Sequence, residues 1–154
     1  DVLALNSGTI SDASGNNATL AHDPVEYNPS FKVDTTAPTV TSFTSTTDNG
    51  TYTYNSKSVT NVNITATASE GVVSGNTITV TLDTGDNVTL TAAANGTTLV
   101  GTYTIGSGDS SIGRLNVSSF SIGTVTDSAG NAMTSTTLPA TNINIGSNIV
   151  IGSG

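Results

Sequence analysis

The sequence predicts an all-β fold, an antiparallel β-sandwich of about seven short strands preceded by the closing strands of another such unit. Three observations carry this. Apolar residues alternate with Thr and Asn instead of scattering, which is the pattern of a half-buried sheet. Gly, Asn and Asp turns punctuate the alternating runs at short, regular spacing. And a nine-residue stretch occurs twice, as GTISDASGN at residues 8–16 and as GTVTDSAGN at residues 123–131. The copies lie 115 residues apart, the span of one small β domain, and an echo this close is a repeat signal.

Taken in order, residues 1–33 offer a short strand at residues 5–11, the DASGN turn, and an apolar run at residues 31–33. Two strands do not fold alone. These residues are therefore expected to be the last part of a preceding unit, packed on their own chain's domain or completing a neighbouring copy by strand addition. Leu5, Ile10, Phe31 and Val33 are the candidate assembly residues. Residues 34–38, DTTAP, form a junction, because Pro38 holds Ala37 extended and donates no ladder hydrogen bond.

The main unit is expected over residues 39–151, with a tail at 152–154. Residues 39–46 give its first strand, closed by a turn at Asp48, Asn49 and Gly50. In residues 59–68, Val62, Ile64, Ala66 and Ala68 point one way and Asn61, Asn63, Thr65 and Thr67 the other, with Glu70 and Gly71 ending the strand. Residues 77–82 turn at 83–86 and return through Val88 and Leu90. After a turn at Asn95 and Gly96, residues 97–105 carry Leu99, Tyr103 and Ile105 on one face. A loop at 107–113 leads through Leu115 and Val117 to Phe120 and Ile122, where Gly123 shifts the alternation as a bulge does. NINIGSNIVI, residues 142–151, reads as the final strand.

Thr, Ser, Asn and Gly make up over half of the chain, and its net charge of −8 reflects only three Lys and Arg against eleven acids. So few bases argue against nucleic acid and against an anionic membrane surface. No stretch approaches the roughly 18 apolar residues of a membrane span. Cysteine is absent, which leaves burial, sheet hydrogen bonds and bound ions to stabilise the chain. With Asp1 first and nothing like a signal peptide, the chain reads as a segment of something longer. His22 is the only histidine, and no Ser sits in a nucleophile elbow, so neither a zinc site nor a nucleophilic triad assembles and no enzyme is expected.

At this point the residues resemble a known family. VDTTAPTV at 33–40, ATASEGV at 66–72, the GD then RL pattern at 108–115 and the two GT-DxxGN stretches are similar to the immunoglobulin-like repeats of bacterial surface adhesins and S-layer-associated proteins. The resemblance covers most of residues 33–151. It implies an immunoglobulin-like sandwich on the cell surface, acting as a spacer or fibre-building unit, with neighbouring repeats or copies of itself as partners. It also implies calcium as the candidate cofactor, since some related repeats bind it at their ends. Two rival readings are a filament subunit joined head to tail through residues 1–33 and a carbohydrate- or protein-binding adhesin module.

Asp127 and Asn131 supply hard oxygens around a glycine-softened turn, and Glu70 and Asp34 are natural partners if strand ends converge, so these four are the candidate calcium ligands. Against this, Asp127 can simply cap the turn with its own side chain while Gly130 takes positive φ. Asp83 and Asp86 flank Gly85 in a ligand-like pattern that a hairpin turn uses anyway. The six Asn-x-Ser/Thr sequons add nothing, because about five are expected by chance at this composition. Lys32 and Lys57 have no visible Asn and acid partners for an isopeptide bond. Tyr52 and Tyr54 form a local aromatic pair, of which at least one is expected to face inward.

Overall fold

The computed structural model describes residues 5, 7–21, 32–55 and 60–152. The chain divides into two compact units, Asp1–Val33 and Asp34–Gly154. Among the described residues no helix is long and apolar enough to cross a membrane.

The larger unit is nearly all β. Its elements run β1 (Val40–Thr44), β2 (Gly50–Thr53), β3 (Asn61–Val72), β4 (Thr77–Leu82), β5 (Asn87–Thr91), β6 (Gly96–Thr104), β7 (Val117–Thr124), a single helical turn α1 (Ile143–Gly146) and β8 (Ile149–Gly152). Six strands form one sheet in the order β1-β3-β6-β5-β4-β7, and β2 and β8 form a two-stranded parallel ladder. Every pairing resolved within the six-stranded sheet is antiparallel. On β3, Val62, Ile64, Ala66 and Ala68 are buried while Asn61 and Ser69 face solvent, so the period-two pattern in the sequence becomes one dry face and one wet face.

The sheet curls into a sandwich, and its weakest seam shows how. β5 meets β6 through the single pair Thr91↔Val100, whereas β3 and β6 pair over most of their length. Gly101 sits at this seam, where a Cβ would stand 2.5 Å from the Thr89 carbonyl and 2.6 Å from Leu90 Cδ2, so only glycine lets the strands approach. The curl brings the two edge strands face to face. Phe43 on β1 meets Phe120 on β7 edge-on, with ring centroids 5.6 Å apart. Beneath them lie Ile64, Ile78, Leu90, Leu99, Leu115 and Ile149, all fully buried.

The glycine at 123 is a bulge. Ile78 pairs Ile122 and Thr77 pairs Thr124, leaving Gly123 as the extra residue against β4. The shift carries Val125 inward, where it is 2% exposed.

Three local readings change. β3 does not stop at Glu70 and Gly71 but continues to Val72, which is buried and bridges Asp127. Residues 142–151 are not one strand. Asn142 caps α1 by accepting from Ile143 N, and the same buried amide accepts from Val117 N and donates to Val117 O, closing the end of β7. Only then does β8 form. The segment after the Asp48 turn is a strand the alternation did not reveal: β2 pairs β8 in parallel, Tyr52 is buried with its hydroxyl donating to Asp48 O, and Tyr54 is half exposed. In the smaller unit the described part of residues 5–11 forms no strand, only the bridge Ser11↔Asn17. Phe31, His22, Lys57 and the start of the residue 59–68 run lie outside the described residues.

Candidate functional site

The repeated nine-residue stretch folds twice into the same hydrogen-bonded turn. In the first copy Asp12 Oδ1 accepts from Asn16 N at 2.9 Å and Oδ2 from Asn16 Nδ2 at 2.8 Å. In the second, Asp127 Oδ1 accepts from Asn131 N and Oδ2 from Asn131 Nδ2, both at 2.8 Å. Asp12 N and Asp127 N donate to the carbonyls of Asn16 and Asn131, and Gly15 N and Gly130 N to those of Asp12 and Asp127. Ala18 N donates to Ile10 O as Met133 N does to Val125 O. Gly15 and Gly130 have φ of +86° and +93°, a conformation glycine adopts without strain. The duplicated sequence is thus a duplicated structure. The environments differ in one respect: Val125 is 2% exposed in its sandwich core, and its counterpart Ile10 is 56% exposed.

Around the second copy the unit gathers acids. One carboxylate oxygen from each of Asp34, Glu70 and Asp127 lies within 4.8 Å of the others. The bridge Val72↔Asp127 and the bond from Val73 N to Thr126 O fix the end of β3 against the turn. Ser69 N donates to Thr39 O and Thr39 N to Ser69 Oγ, which holds the start of the unit beside Glu70. Asn131 Nδ2 donates to both Asp34 O and Asp127 Oδ2, so this amide offers hydrogens to the cluster where an oxygen ligand was expected. Asn131 therefore positions the Asp127 carboxylate and the backbone at Asp34.

Burial works against ionisation of Asp127, but the Asn131 amide and neighbouring backbone N–H groups outweigh it and hold its carboxyl below the usual range. Glu70 is pushed up, first by desolvation and then by the charges of Asp34 and Asp127. An acid whose folded pKa is raised stabilises the fold below its unfolded pKa, and that stability is lost as pH rises through the folded value. Glu70→Gln is therefore expected to raise the melting temperature at neutral pH in calcium-free buffer. The same three oxygens suit a hard cation. Calcium held by this cluster raises the melting temperature more in the wild type than in Glu70→Gln; an equal response in the two proteins removes calcium from this cluster.

Of the assembly residues, Leu5 is half-buried, Ile10 and Val33 are exposed, and Phe31 lies outside the described residues. A second polar cluster was not assembled from the sequence. Tyr103 on β6 donates to Asp109 Oδ2, which also accepts from Gly106 N at 2.8 Å. Asp86, noted only as a turn residue, stands within hydrogen-bonding reach of Asp109. The signal available was Tyr103 itself, a polar-tipped aromatic on an inward position that needs a partner. Compared with family models, curated proteins and solved structures, the chain matches none.

Proposed function

We propose that the chain is a structural repeat of an extracellular bacterial surface protein, an immunoglobulin-like spacer or stalk unit with no catalytic step. The observation that carries this reading is the doubled turn, whose first copy leaves Ile10 exposed where the second buries Val125. An apolar residue presented by a closing turn fits the tail of a unit whose own core would cover it. The polar outer faces and the net charge of −8 also suit a surface that must not stick to its neighbours.

A stalk carries load along its length, and the unit's ends support that role. β1 runs away from the Asp34 pole, and β8 ends at the opposite pole, where Ile151 pairs with Ile112. β8 lies parallel to β2 through Gly50↔Ile149, Thr51↔Val150, Tyr52↔Ile151 and Thr53↔Gly152. Tension between the ends therefore shears this ladder as a block. In single-molecule pulling of the full chain, Val150→Pro is expected to lower the unfolding force sharply, because the parallel register places the Val150 N–H in the β2–β8 ladder and proline removes it. An unchanged force would count against a load-bearing role. The exposed Ile10 and Val33 also favour a second reading, donation of the head to another copy, whose mark is association that grows with concentration and is abolished by Ile10→Asp.

A further inference from the structure

We propose that Asn49 is a spontaneous deamidation site gated by the β2–β8 ladder: it is closed to reaction while Gly50 lies on Asn148, and it converts irreversibly to aspartate or isoaspartate once the two strands part. Water is the only reactant besides the chain. The inference does not depend on the chain belonging to an array.

The chemistry begins in the sequence. Glycine after asparagine puts no Cβ in the way of an attack by the next backbone nitrogen on the side-chain carbonyl. Such pairs occur twice in the chain, as Asn49 with Gly50 and as Asn95 with Gly96. In the reaction the Gly50 nitrogen gives its proton to water and bonds to Cγ of Asn49, and the side-chain nitrogen leaves as ammonia. Water then adds to one of the two carbonyls of the resulting imide ring. Opening at Cγ yields aspartate, and opening at the main-chain carbonyl yields isoaspartate.

The structure withholds both reacting groups. Gly50 N, the nucleophile, donates to Asn148 O at 3.1 Å, and Asn49 Oδ1, on the carbon to be attacked, accepts from Asn148 N at 2.7 Å. One residue thus holds both ends of the reaction apart. The second bond is a substitution within the ladder. The parallel register of Gly50 with Ile149 would send Asn148 N to Asp48 O, but that carbonyl accepts from the Tyr52 hydroxyl, and the Asn49 side chain takes its place. Asn49 is otherwise exposed, so water reaches it as soon as Asn148 withdraws.

The two products differ in what they do to the fold. Aspartate keeps an oxygen for Asn148 N and strengthens that bond by its charge. Isoaspartate routes the main chain through the former side chain and adds a methylene ahead of Gly50, so β2 loses its register on β8. Tyr52, Ile149 and Ile151 are buried in the present register, and a displaced β2 cannot return Tyr52 to its place. An opening of the ladder is thereby recorded in the covalent chain.

The test follows deamidation of the full chain at mildly alkaline pH by peptide mapping, with isoaspartate separated from aspartate. In guanidinium chloride too dilute to unfold the unit, conversion at Asn49 is expected to rise by about tenfold or more over the native rate, in step with hydrogen exchange at the Gly50 amide, because both follow the open population. Conversion at Asn95 should stay flat over the same range, since Gly96 pairs with Val72 in the main sheet and not with β8. Val150→Pro, with folding checked by circular dichroism, should raise the Asn49 rate without denaturant. Gly50→Ala should slow conversion by about tenfold or more even in the unfolded chain, because its Cβ hinders the attack. That Cβ meets only the Tyr52 ring, at 3.8 Å, so the fold tolerates it. Conversion of native Asn49 as fast as in the unfolded chain would overturn the proposal. So would a rate that ignores dilute denaturant, or a rise shared equally by Asn95, the mark of global unfolding.

Discussion

Phe43→Ala is expected to destabilise the larger unit by about 4 kcal/mol, within the usual range for emptying a buried phenylalanine site. The position is fully buried, and its ring packs edge-to-face on Phe120 from the far edge of the same sheet. The contact does more than fill space: it is where the curled sheet meets itself, between strands far apart in the sheet order. Domains of this size are held by roughly 5–15 kcal/mol, so the change removes a large share of the total and lowers the melting temperature by roughly 15 °C. Phe43→Leu keeps most of the volume and should recover much of the loss. Thermal unfolding followed by circular dichroism measures both. If Phe43→Ala cost less than about 1 kcal/mol, the two edges would not be meeting through this ring.

The sequence revealed the parts of this fold whose signal is local. β4 follows the alternation of Ile78, Val80 and Leu82 residue for residue. The bulge at Gly123 was visible because an inserted residue must flip the alternation, and Val125 resumes it on the buried side. Legibility failed where a partner distant in the chain decides the conformation. β2 is four residues long and exists because β8, about a hundred residues later, lies beside it. The helical turn after Asn142 interrupts an apparent strand because that side chain can bond both its own helix end and Val117, a choice that β-propensity does not encode.

The candidate cluster divides in the same way. Asp127 announced itself by its turn, whose Gly and Asn spacing fixes the local hydrogen bonds. The sequence makes Glu70 and Asp34 partners only on the condition that strand ends converge, and the bonds between Ser69 and Thr39 bring them together. Asn131 lends the cluster its amide hydrogens, which the Asp34 backbone carbonyl and Asp127 Oδ2 accept. Tyr103, Asp86 and Asp109 come from two different loops and one strand. No spacing rule links them.

The central claim is that the two turns are equivalent closing segments of successive units. It is tested by placing a second copy of residues 34–119 directly ahead of Leu5, so that the native head follows the strands that Phe120 onward follows in the larger unit. Hydrogen–deuterium exchange should then show the amides of Asn16 and Ala18 slowed at least about a thousandfold relative to the original chain, matching Asn131 and Met133, because exchange there would require opening a folded core. Ile10→Asp should abolish that protection without altering Asn131. Amides of the head that exchange as fast in the extended protein as in the original chain would contradict the claim and leave the doubled sequence as two similar turns.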